Sequence, residues 1–139
     1  MRATAKTQPF SIRLGAGADL LIREEARRSG RARSALVEEL AEEAAKTRLF
    51  PGLAFRGHPR RAWVIGSGFD VWQLVDLAES YDGDLVAISK AHPLVREAHV
   101  SLAHAYAERF PDEIVPFLDA GRRPLEELRA LYPFLRYGE

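Results

Sequence analysis

Four histidines, one serine between two glycines and a run of arginines in the first third of the chain are the residues with the most chemical potential. His99 and His104 stand five positions apart, which puts them on different faces of a helix, and His58 and His92 lie elsewhere, so no metal-ligand spacing emerges. Ser67, Asp70 and His58 supply the residue types of a hydrolytic triad without any spacing to support one. Gly66-Ser67-Gly68 lacks the lysine and the glycine spacing of a phosphate loop and reads as a tight turn. The 139 residues contain no cysteine, which excludes disulfides, thiolate metal sites and cysteine nucleophiles. No enzyme, cofactor or metal site is expected.

What remains is the chemistry of charge. From Met1 to Arg61 the chain holds 13 Lys or Arg against 7 Asp or Glu, and from Ala62 onward 7 against 13, a net +6 followed by a net −6. Such asymmetry points to two surfaces with different partners, and a small basic domain commonly faces nucleic acid. Apolar residues make up 47% and charged residues 29%, so global disorder is not expected. The longest purely apolar runs, Ala62 to Ile65 and Leu85 to Ile88, are four residues each, too short for a membrane span or a signal-peptide core. A cytoplasmic protein is expected.

The elements that must position the arginines follow from periodicity. Phe10-Ser11-Ile12-Arg13-Leu14 alternates apolar and polar, the signature of a half-buried strand, with Ser11 and Arg13 on the open face. Asp19 is placed to cap a helix running from Leu20 to Arg28, and Gly30 to stop it. A second helix starts near Ala32 to Ser34, with Leu36, Val37, Leu40, Ala41, Ala44 and Leu49 on one face and Glu38, Glu39, Glu42 and Glu43 on the other. A mobile tail is expected over Met1 to Lys6. One short strand with two helices leaves ladder groups unpaired and buries too little apolar surface, so this half is expected to be an obligate homodimer in which a second copy supplies an antiparallel strand.

The strand Phe10 to Leu14, the sixteen residues from Leu14 to Gly30 and the start Gly30-Arg31-Ala32-Arg33-Ser34-Ala35-Leu36-Val37 together resemble the ribbon-helix-helix DNA-binding proteins of the Arc, MetJ and CopG type. The resemblance covers about 40 residues, and it implies an intertwined dimer, one strand per protomer, whose β-ribbon enters the major groove of double-stranded DNA. On that mapping Ser11 and Arg13 read bases, Thr7 or Pro9 stands at the strand's start, and Arg31, Arg33 and Ser34 hold phosphate at the start of the second helix. Ala32 departs from the family's capping serine or threonine and Ala35 from the acidic partner of a capping box, which leaves Ser34 as an alternative cap.

Prolines and glycines between Phe50 and Arg61 break any helix, so the expected domains are 1–50, a linker over 51–61, and 62–139. The last is expected to be a small helical domain with a short β element. Its strand is Arg61 to Ile65, a helix capped by Asp70 follows, and a helix-turn-helix-like pair spans Asp84 to Phe110. Further helices cover Pro111 to Asp119 and Pro124 to Leu131. The stretch from Arg56 to about Leu118 resembles a helical module found in VapB-type antitoxins, through Arg61 to Ile65, Gly68 to Trp72 and Ala105 to Ile114. In the helix-turn-helix-like pair Glu97 and Glu108 accompany Arg96, so packing or dimerisation is favoured over DNA reading.

The C-terminal stretch interleaves Leu131, Tyr132 and Phe134 with Arg122, Arg129 and Arg136, an apolar-arginine pattern suited to a partner surface. An acidic, metal-binding ribonuclease of the PIN type is the candidate partner. The combined expectation is a mainly α repressor acting as the antitoxin of a toxin–antitoxin pair. The alternatives are a stand-alone ribbon-helix-helix regulator and, in another class, a helical interaction or scaffold module.

Overall fold

The computed structural model describes residues 7–131 and 133; the expected tail over Met1 to Lys6 lies outside them. The protein is mainly helical with one small two-stranded antiparallel sheet. It divides into two compact units, Met1–Ala54 and Phe55–Glu139.

In the first unit residues 7–15 form neither helix nor ladder. A strand exists only where a neighbour accepts its hydrogen bonds, and a single copy offers none to this stretch. Helix α1 spans Ala16–Ser29 and helix α2 Arg33–Leu49. α1 begins before the expected cap: Gly15 is the N-cap, and Asp19 sits inside the first turn, where a carboxylate answers the helix dipole. Gly30 stops α1 as expected, at φ +67°, with its N–H bonded to the carbonyl of Ala26. A left-handed residue is needed there, and glycine adopts it without a Cβ penalty. The N-cap of α2 is Ala32, with no side-chain capping bond, so Ser34 lies within the helix rather than before it.

The stretch 51–61 is not a plain linker. Leu53–Arg56 forms strand β1 and Arg61–Val64 forms strand β2, joined by a turn over residues 57–60. The prolines and glycines that break helices here bracket a strand: Pro51-Gly52 precedes it, and Gly57 (φ +85°) and Pro59 follow it.

The second unit continues with α3 (Val71–Ser80), α4 (Leu85–Ala91), α5 (Glu97–Arg109), α6 (Pro111–Gly121) and α7 (Leu125–Leu131). α3 is its hub and packs on α4, α5, α6 and β2. Val71, Leu74, Val75 and Ala78 of α3 meet a core that includes Val64, Ile88, Val100, Ala103, Tyr106, Ile114 and Leu118, all buried. Trp72 stacks on Phe117 at 6.1 Å between centroids, and the Tyr106 hydroxyl donates to Glu113 Oε2 at 2.5 Å. Asp84 caps α4 by accepting from the N–H groups of Val86 and Ala87. α5 starts at Glu97: Arg96 is the extended N-cap, and its N–H donates to His99 Nδ1 at 3.1 Å.

The turn between β2 and α3 is held by polar groups out of water. The buried Ser67 hydroxyl donates to the carbonyl of Val64 at 2.7 Å and accepts from the N–H of Phe69 at 3.0 Å. Asp70, also buried, receives Arg56 Nε at 2.9 Å and Arg61 Nε at 2.6 Å, while its N–H donates to Gln73 Oε1 at 2.8 Å. Asp70→Ala is therefore expected to lower stability by about 2 kcal/mol, through loss of two charge-assisted bonds whose arginines keep access to water. Urea unfolding checks this.

Candidate nucleic-acid interface

Residues 7–14 lie beside the N-terminal half of α2, and between them runs a cleft of about 830 Å³. Phe10, Ile12 and Leu14 line it together with Val37 and Ala41 of α2. Ser11 and Arg13 do not line it; both are exposed, and Arg13 makes no ion pair among the described residues. From Phe10 to Leu14 every second residue thus borders the cleft, although Phe10 and Ile12 stay exposed and the consecutive Thr7, Gln8 and Pro9 border it as well.

The first unit covers little of its own apolar surface. α1 has no buried residue, and Leu36 is the one buried apolar residue of α2. Phe10 is 81% exposed, Leu21 66% and Leu20 56%. Burying a leucine or phenylalanine side chain stabilises by roughly 1.5–3 kcal/mol, so this surface represents a substantial deficit while it remains in water.

The residues mapped to phosphate are engaged within the unit. Arg31 Nη1 meets Glu39 Oε2 at 2.5 Å, and Arg33 pairs with Asp19, which also receives Arg23 Nε at 2.9 Å. All of these groups are at least partly exposed, so each pair is weak in water and exchangeable for another anion. Ser34 is exposed in the first turn of α2.

Of the expected partner surface, Arg122 is tied into its own unit. Its Nε donates to Asp76 Oδ1 at 3.0 Å and its Nη2 reaches Glu79, joining the end of α6 to α3. These bonds, Asp76 first, raise its pKa above the usual arginine value. A partner carboxylate would have to compete with two already in place. Leu131 is half exposed. Tyr132, Phe134 and Arg136, like the side chain of Arg129, lie outside the described residues.

The charge division also changes once the units are known. Arg56, Arg60 and Arg61 belong to the second unit, so the first carries 10 Lys or Arg against 7 Asp or Glu and the second 10 against 13, a net +3 and −3. Sequence reading missed the triad of Asp70 with Arg56 and Arg61; the signal was an acid at a helix start within reach of a two-arginine hairpin. Among the described residues no group of acidic or histidine side chains is arranged to hold a metal ion. No described helix is long and apolar enough to cross a membrane.

Compared with family models, curated proteins and solved structures, the chain matches none.

If the cleft beside α2 is closed by a second copy, the thermal midpoint should rise with protein concentration. Ile12→Asp should abolish that dependence and shift the mass found by sedimentation to the monomer.

Proposed function

We propose that this chain is a dimeric, sequence-specific DNA-binding repressor of the cytoplasm that acts as the antitoxin of a type II toxin–antitoxin pair. In the dimer, residues 10–14 of two protomers pair as an antiparallel ribbon. The ribbon places Arg13 to form a bidentate pair with a guanine, and Ser11 to donate to or accept from a neighbouring base, in the major groove. The observation that carries this reading is that Phe10, Ile12 and Leu14 border the cleft beside α2, Phe10 and Ile12 still exposed, while Ser11 and Arg13 do not border it and the backbone lies outside any ladder. A second copy would satisfy both the ladder groups and the uncovered apolar side of α1 and α2. Arg31, Arg33 and the open N-terminus of α2 then hold phosphate, exchanging Glu39 and Asp19 for DNA.

A helical interaction module is the second reading, and the ion pairs of Arg31 and Arg33 inside the unit favour it. The two separate in a gel-shift titration on the DNA upstream of the chain's own gene. A repressor binds it with an affinity that falls steeply as salt rises, and Arg13→Ala lowers discrimination against a scrambled duplex by roughly 1–3 kcal/mol. Binding indifferent to both leaves the interaction module. A ribonuclease toxin encoded beside the gene supports the antitoxin role, and an isolated gene the stand-alone regulator. Arg129→Ala and Arg136→Ala should weaken neutralisation of such a ribonuclease; undiminished neutralisation removes the C-terminal stretch from that contact.

A further inference from the structure

The second unit carries an open groove that neither its core nor the proposed ribbon uses. Two adjoining cavities, of about 620 and 430 Å³, share Leu85 and Glu97 in their linings and run along α3, α4 and α5. Part of the lining is apolar. Ala78 of α3 and Val100 of α5 are buried, Leu85 is half-buried, and Val86 stands 67% exposed.

Charge is divided unevenly between the two cavities. Glu79, Asp82 and Glu97 line the first, where no Lys or Arg does, and Lys90 lines the second. Glu79 already meets Arg122. The carboxylates of Asp82 and Glu97 are exposed and make no hydrogen bond or ion pair among the described residues. The donors that open α4 do not call on them, since Asp84 accepts from the N–H groups of Val86 and Ala87. Carbonyls at the C-terminus of α3 add partial negative charge beside Glu79. His104 is turned back on its own helix, with Nδ1 2.9 Å from the carbonyl of Val100.

Acids without a cation beside exposed apolar surface are complementary to a side chain that is cationic at its tip and apolar along its stem. Most of the lining belongs to helices, whose backbone groups are bonded within them, so an extended strand would find no ladder there. A helix brings its own backbone bonds and needs only a groove of side chains.

We propose that the groove of α3, α4 and α5 docks a cationic amphipathic helix of a partner protein. A Lys or Arg of that helix meets Asp82 and Glu97, and an apolar side chain rests on Leu85 and Val86. Lys90 gives the groove parts of opposite sign, which fixes the direction in which the helix lies. No residue of the ribbon takes part, so this docking holds whether or not the chain binds DNA.

The full-length chain is titrated with two fluorescent helical peptides of about 18 residues, one with lysines flanking a leucine stripe and one with glutamates in their place. Anisotropy should show binding of the lysine peptide alone, weakening as salt rises from about 50 to 200 mM. Asp82→Asn with Glu97→Gln should weaken it about five- to tenfold, and Val86→Ser about threefold, with melting midpoints near the parent's. Asparagine tolerates the left-handed backbone of residue 82 (φ +50°), and Asp82→Asn alone, at about threefold, stands in should the pair perturb folding. Glu108→Gln with Asp119→Asn removes the same charge from exposed positions outside the groove and should bind as the parent does. Equal weakening by the two pairs means non-specific attraction and overturns the proposal. Binding of both peptides or of neither overturns it too, as does a Val86→Ser variant that binds like the parent. Self-association in sedimentation that Asp82→Asn with Glu97→Gln removes makes a second copy the occupant and also overturns it.

Discussion

Uncovered apolar surface governs the first unit. A fourteen-residue helix that fully buries none of its side chains gains little tertiary stabilisation from them. Isolated helices of that length are marginal in water. α2 contributes Leu36 and the aliphatic stem of Lys46, which is mostly buried and paired with Glu42, and little else. Meanwhile Phe10, Ile12, Leu20 and Leu21 remain in water, with the backbone of residues 7–15 outside any ladder. Apolar faces and ladder groups call for the same remedy, a second surface of matching shape. The proposed dimer supplies it with a copy of the chain, and every functional role assigned to Ser11 and Arg13 depends on that pairing.

The second unit solves its own burial. α3 packs on α5, α6 and β2, and its Val71, Leu74, Val75 and Ala78 are buried within one chain. Its polar interior is satisfied where it matters for the chain's course. Ser67 locks the turn after β2, and Asp70 ties the hairpin to the start of α3. Both residues thereby lose the roles that their types suggest in a triad. A serine hydroxyl that donates to one backbone carbonyl and accepts from a nearby N–H is a turn fastener, and an aspartate between two guanidinium groups is a structural counter-ion.

Charge patterning along the sequence and charge placement in space give different pictures. Along the chain the halves differ by twelve units; between the folded units, by six. The difference comes from Arg56, Arg60 and Arg61, which precede the change of sign in sequence but fold with the acidic unit. Two of them, Arg56 and Arg61, meet the buried Asp70. The same correction applies on a smaller scale to Arg31 and Arg33, whose charges meet Glu39 and Asp19.

Features set by neighbours in sequence were legible from the residues alone. The stop at Gly30, the cap at Asp84 and the succession of helices in the second unit all follow from side chains within a few positions of one another. Local sterics and local hydrogen bonds fix them whatever the rest of the chain does. Tertiary structure decided what depended on distant partners. It turned the proline- and glycine-rich stretch 51–61 from an expected linker into a strand and its turn, because a ladder is defined by the strand that accepts it. It assigned Arg122 to Asp76 and Glu79, more than forty positions away, and Arg56 to Asp70, fourteen positions away. Electrostatic pairing depends on separation in space, which a linear pattern of charges does not encode until the chain has folded.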